Sequence, residues 1–185
     1  MILQLLFGRS EVRDKAGALY VAAVRQARTP TFYTDFGVAD VVEGRFEMIV
    51  LHVYLVLRGL RRLGPNGHRL GQALMDTLFD DMDLNLREMG IGDLGVGKRV
   101  KKMAQGFYGR SKAYEEALGE GAAPDALPAA LARNIYGKES VEPATLTALA
   151  AYVRAAGQAL ESQDEASLIA GALAFPLLPA GAIRG

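Results

Sequence analysis

The 185 residues include no cysteine and no tryptophan, and only two histidines. Without cysteine, disulfides, zinc–thiolate sites, iron–sulfur clusters and thiol nucleophiles are all excluded. The lack of thiols fits a reducing compartment. With two histidines and no Ser–His–acid spacing, covalent catalysis has no visible apparatus. Net charge is missing as well, because 21 Lys and Arg balance 21 Asp and Glu. Any charge-driven partner must therefore be met by a local patch. No repeat of fixed period is visible, and no segment sustains the alternation of a strand.

Long uncharged runs are scarce. The most apolar segment, 45–63, holds only ten uncharged residues between Glu47 and Arg58, too few to span a bilayer. Residues 166–183 form an uncharged run of eighteen. Gly171, Pro176, Pro179 and Gly181 interrupt it, so a short helix to Ala174 followed by an extended tail is expected instead. The opening MILQLLFGRSEVRDK has no basic segment before its apolar residues, and Glu11 and Asp14 come early. No signal peptide, transit peptide or transmembrane span is expected, and the expected location is cytoplasmic.

What is present is half apolar and 23% charged, a globular composition. Apolar residues recur at helical spacing along most of the chain. That predicts helices over 11–28, 45–63, 68–89, 96–118, 126–136 and 143–160. GPNG (64–67) is read as a turn, and Gly90 as a C-terminal cap. Leu74, Leu78, Met82, Leu86 and Met89 should face the core. So should Val100, Met103, Phe107, Tyr114 and Leu118. The helix over 45–63 is apolar nearly all round, which marks it as central. The expected fold is all-α, one compact domain over 1–185 with about six or seven helices, a body over about 11–160 and a C-terminal helix and tail over 161–185.

Charge is segregated along 74–114. From Asp76 to Asp93 there are six acids and one base, and from Lys98 to Lys112 six bases and no acid. The turn between them, Gly90–Gly95, formally spells G-x-G-x-x-G but follows a helix rather than a strand. Gly92–Lys98 approaches a P-loop, with Arg99 where a magnesium-binding hydroxyl is needed. Asp76, Asp80 and Asp83 share a helical face as magnesium-binding carboxylates would, yet no second acidic cluster faces them. A nucleotide- or metal-dependent enzyme using these residues is the alternative reading. The favoured one is a scaffold hairpin. His52 reads as a satisfied core residue and His68 as a surface residue.

Two basic clusters remain. Arg58, Arg61 and Arg62 share one helical face, and Lys98, Arg99, Lys101 and Lys102 crowd the start of another helix. Both are candidate partner-binding sites, which together could form one patch for nucleic acid, anionic lipid or an acidic protein. Solvated faces ion-paired to the Asp76–Asp83 face are the competing reading. Lysines in a first turn would oppose the helix dipole, which favours a partner.

Three blocks resemble the ubiquinol–cytochrome c chaperone family, assembly factors for the respiratory bc complex. They are LYVAAVRQARTPTFYTDFGVADVVEGRFEMIVLHVYLVLRGLRRLG (19–64), LMDTLFDDMDLNLREMGIGDLGVGKRVKKMAQGFYGRSKAYEEAL (74–118) and LIAGALAFPLLP (168–179). QAR-x-P-x-FY, GRFEMI-x-LH and DDMD-x-x-LREMG-x-GD carry the specificity. Ala39 stands where a proline is expected, which affects a turn. The resemblance implies a bacterial-type helical chaperone that is not an enzyme, needs no cofactor or metal, and binds newly made cytochrome b. In mitochondria the family acts with a small helical partner protein. From the charge segregation, the basic clusters are expected to orient the protein against anionic lipid on the cytoplasmic face of the inner membrane or against an acidic client stretch. Nucleic acid is not an expected partner.

Overall fold

The apolar run over 45–63 becomes the axis of the molecule. In the computed structural model, which describes residues 8–137 and 140–178, it lies in a 20-residue helix, α3 (Val42–Arg61). Twelve of its residues are buried, including the unbroken stretch Met48–Val56. Its β-branched residues do not make it a strand, because burial on every side selects the helix. Arg58 and Arg61 in its last turn suit the negative end of its dipole.

The other long helices wrap this axis. α1 (Arg9–Ala27) packs on α3 and on α4 (Gly64–Glu88). α7 (Pro143–Ser162) packs on α3 from another side, and α5 (Asp93–Leu118) on α4 and α3. Three short helices complete the set among the described residues: α2 (Thr31–Thr34), α6 (Ala126–Leu131) and α8 (Glu165–Ile169). A π-helical turn, Ala132–Tyr136, continues α6 and ends at Gly137 with φ +65°. No strand occurs among the described residues. The all-α expectation holds.

Two close crossings fix the packing. A Cβ at Gly67 would overlap the Leu60 carbonyl oxygen, so α3 turns into α4 only with glycine there. At Gly59 a Cβ would lie 3.1 Å from Leu160 Cβ, which sets the approach of α7. The segment over 29–40 contributes an aromatic plug to the core. Phe32 and Phe36 are buried, and Phe32 meets the rings of His52 and Tyr152 edge-on at 5.3 and 5.2 Å.

Several boundaries differ from the sequence expectation. GPNG is not a turn. The reversal falls on Arg62–Leu63, and Gly64-Pro65 opens α4, because proline without an N–H suits a first helical turn. α5 begins at Asp93 rather than 96. Met89 is exposed and Leu86 half-buried, so the core stripe of α4 ends at Met82. Gly90 does cap α4, at φ +80°, with Ile91 N donating to Leu86 O and Gly90 N to Arg87 O, the Schellman pairing.

The C-terminal helix stops at Ile169 instead of Ala174. Asp164 caps it by accepting from Ser167 N at 2.8 Å. Beyond it, residues 172–178 are extended and lie over α1. The Gln163 amide clamps this tail, donating to Ala172 O at 2.5 Å and accepting from Ala174 N at 2.9 Å. The end of the uncharged run, 179–183, lies outside the described residues. No helix among the described residues is long and apolar enough to cross a membrane.

Candidate functional site

The two basic clusters prove to be different things. Arg58 ion-pairs with Glu115 at 3.1 Å and with Glu161, and Arg61 pairs with Glu115 at 2.7 Å. Arg62 donates to the Gln163 carbonyl at the end of α7. Tyr54 OH adds a bond to the same Glu115 carboxylate at 2.9 Å. Burial alone would raise the Glu115 pKa, but the Tyr54 hydroxyl and the Arg61 and Arg58 guanidiniums outweigh it and hold it below the usual range. These arginines tie α3 to α5 and α7. Their partners are not the Asp76–Asp83 face.

Lys98, Arg99, Lys101 and Lys102 are all exposed and make no ion pair among the described residues. Because α5 starts at Asp93, its first turn holds an acid and the lysines sit further in. The dipole penalty expected from the sequence does not arise. Glu115, which anchors the arginines, lies ~26 Å along the α5 axis from Lys98 at about 1.5 Å per residue. The seven cations therefore do not form one patch.

The remaining motifs resolve into structure. Asp93 to Lys98, the segment resembling a P-loop, is helical, so its N–H groups form no phosphate-cradling loop. The α4 acids are spread over different partners. Asp76 accepts from Gln72 at 2.9 Å, Asp81 from Tyr20 OH at 2.7 Å, and Asp83 pairs with Arg87 at 2.5 Å. No group of three or more His, Asp or Glu is placed to hold a metal among the described residues. The nucleotide- or metal-dependent alternative finds no support here.

His52 is fully buried and fully bonded. Nδ1–H donates to Met48 O at 2.7 Å, while Nε2 accepts from Tyr152 OH at 2.8 Å, which itself accepts from Gln26 Nε2 at 3.0 Å. Burial holds its pKa down to about 4, and the bond to Met48 opposes this only weakly. It is a neutral core residue, as expected, and His68 is exposed. Glu47 makes a bidentate pair with Arg110. Its carboxyl pKa is nonetheless raised, because burial exceeds the help from the guanidinium.

Two surfaces escaped the sequence. One is a groove between α1 and α4, about 560 Å³, lined by apolar Val12 and Ala73 and by the charged Arg13, Arg69, Asp76 and Asp80. It runs on through Thr77 and Asp80 into a second hollow of about 530 Å³ edged by Asp14, Asp81 and Leu84. Sequence alone pairs no two helices, so nothing in it places α1 beside α4. The other is the outer side of α5, where Leu94 is 96% and Tyr108 61% exposed. Helical spacing already puts Tyr108 off the core stripe of the helix expected over 96–118, whereas Leu94 joins that face only because α5 starts at Asp93.

Comparison with known proteins gives this architecture relatives. The crystal structure of the Cbp3 homolog from Brucella abortus matches with a TM-score of 0.80 at 38% identity, over 96% of this chain and 98% of that one. Ubiquinol-cytochrome-c reductase complex assembly factor 1 of Xenopus laevis is 24% identical over 166 residues, covering 89% of this chain and 82% of that protein. Its Mus musculus counterpart is also 24% identical, over 165 residues. The chain spans 55% of that longer relative. The family model described as Ubiquinol-cytochrome C chaperone matches residues 34–175, from the end of α2 to the clamped tail, and the chain belongs to that family.

Proposed function

We propose that this protein is an assembly factor for the ubiquinol–cytochrome c reductase complex that binds newly made cytochrome b and holds it for assembly. The observation that carries the reading is the family match over residues 34–175, which takes in every long helix but α1. The α1/α4 groove is where the client would sit. Loops on the side from which a membrane protein inserts are enriched in Lys and Arg. Across the groove and the hollow that continues it, Asp14, Asp76, Asp80 and Asp81 outnumber Arg13 and Arg69 beside apolar Val12, Ala73 and Leu84, a lining that suits an apolar segment with basic flanks. Lys98, Arg99, Lys101 and Lys102 are the cations free to meet a further partner, whereas Arg58, Arg61 and Arg62 are engaged within the fold.

Deleting the gene and measuring assembled bc complex and haem-loaded cytochrome b tests this directly. Both should fall sharply, and normal levels of both would refute the reading. A photoreactive side chain at Thr77 should capture cytochrome b, while one at Arg154, on the far helix α7, should not.

A further inference from the structure

We propose that the outward face of α5 is a docking ridge that lies flat on an anionic lipid surface. Leu94, Lys98, Lys101, Gln105, Tyr108 and Lys112 recur at alternating spacings of four and three. They therefore fall on one stripe of the helix. All six are exposed, and Lys102 flanks the stripe. Between Leu94 and Tyr114 the chain contains no acid. Asp93 at the head of the stripe is already bound by Arg87; near its tail Glu116 lies 3.8 Å from Lys112, and Glu115 is engaged by Arg58, Arg61 and Tyr54.

The chemistry of this stripe selects its occupant. Leu94 and Tyr108 stand ~21 Å apart at about 1.5 Å per residue, with the cations between and beside them. A leucine and an interfacial tyrosine at opposite ends, joined by lysines, form the pattern of a helix lying in the headgroup plane. The lysine stems can bury against acyl chains while the ammonium groups reach phosphates. A helical protein partner fits worse, since three of the six positions on the would-be seam are lysine, where a knobs-into-holes interface needs apolar side chains. Nucleic acid would satisfy the lysines and leave Leu94 in water. Asp76 and Asp80 of α4 line the groove facing α1 instead, and Asp83 is held by Arg87. This assignment stands apart from the client reading, because it concerns lipid and α5 rather than cytochrome b and the α1/α4 groove.

The test is vesicle co-flotation with the purified full chain and no cytochrome b present. Neutral phosphatidylcholine vesicles are compared with vesicles carrying about one-third phosphatidylglycerol. The protein should float with the anionic vesicles only, and raising the salt should weaken this, since screening shortens the reach of the lysines. Lys98→Glu/Lys101→Glu/Lys102→Glu should lower partitioning by at least ~100-fold, at roughly fivefold for each lysine lost near an anionic surface. Leu94→Ala/Tyr108→Ala should lower it about tenfold and remove the salt-resistant part. Arg25→Glu/Arg28→Glu/Arg154→Glu changes net charge equally but lies elsewhere, and should retain most binding. Circular dichroism confirms that each variant is folded. Equal binding to neutral vesicles, or equal loss in the two triple variants, overturns the proposal. So does retention of an RNA oligonucleotide or an acidic peptide by the ridge without vesicle binding.

Discussion

Arg58, Arg61 and Arg62 at one end of the molecule, and Lys98, Arg99, Lys101 and Lys102 at another, look alike as sequence and are opposites as structure. The arginines are internal staples. Glu115 and Glu161 come to them from α5 and α7, and the planar guanidinium can serve two carboxylates at once, as Arg58 does. The second cluster meets no acid among the described residues, and lysines, three of its four members, are compact, well-hydrated charges suited to a diffuse partner. The difference shows that a basic cluster becomes a surface only where the fold brings no carboxylate to it. Partner residues 54 and 103 positions away in sequence decide that.

The sharpest way to separate the two regions is a glycine at each. Gly67→Ala, at the corner beneath the arginines, drives a Cβ into the Leu60 carbonyl and toward Leu63. Backbone must shift there, so about 3 kcal/mol of stability should be lost. Gly97→Ala on the lysine ridge meets nothing within 4 Å and should gain about 0.5–1 kcal/mol from helix propensity. Urea midpoints of the two variants should move in opposite directions. Movement the same way would mean that both regions are packed alike.

pH defines the window in which that comparison is clean. His52 is held neutral in the fold down to about pH 4, whereas an unfolded histidine protonates below about 6.5. Between those values the unfolded state binds the extra proton, so stability falls as pH drops through the window and is level above it. The full loss should be about 3 kcal/mol at 1.36 kcal/mol per pKa unit. His52→Gln should flatten this slope in urea titrations across pH 4–6.5. An unchanged slope would remove His52 as its source. The two basic clusters are therefore best compared above pH 6.5, where the His52 contribution is level.

Glu115→Ala probes the staples themselves. It strips one carboxylate from Tyr54, Arg58 and Arg61 together. Half-exposed ion pairs are weak singly, but a part-buried phenol loses its acceptor as well, so a loss of about 1–2 kcal/mol is expected. Thermal melts should show it, and it should shrink in high salt. A change below about 0.3 kcal/mol, within the range of ordinary surface substitutions, would mean that the arginines are not staples and reopen them as a partner site.

The sequence made the helices and the central axis legible because burial at a 3.6-residue period leaves its mark on every turn. Three motifs of unusual specificity made the family legible too. Pro65 misled, since the same residue that breaks a helix interior also opens one, and only the path of the chain tells which. The length of the C-terminal helix was overestimated because Ala and Leu favour helix at 170–174, whereas Gln163 holds that segment extended by bonding its backbone. The α1/α4 groove was invisible for a deeper reason. It exists only where two helices meet, and neither helix carries the whole of it.

The lysine ridge offers the smallest expected change in stability and the largest separation of roles. Lys98→Glu/Lys101→Glu/Lys102→Glu removes no internal ion pair, no buried atom and no cap. The new carboxylates repel one another about as the lysines they replace do, and they lie beyond the first turn of α5, where the dipole has little effect. The melting temperature should therefore stay within about 2 °C, the shift of a ~0.5 kcal/mol surface change in a domain of this size. Intact folding with lost partner binding is the signature of a surface, whereas the Glu115 variant should show the reverse. If the triple variant unfolds instead, the lysines have internal partners and the contrast between the two clusters collapses.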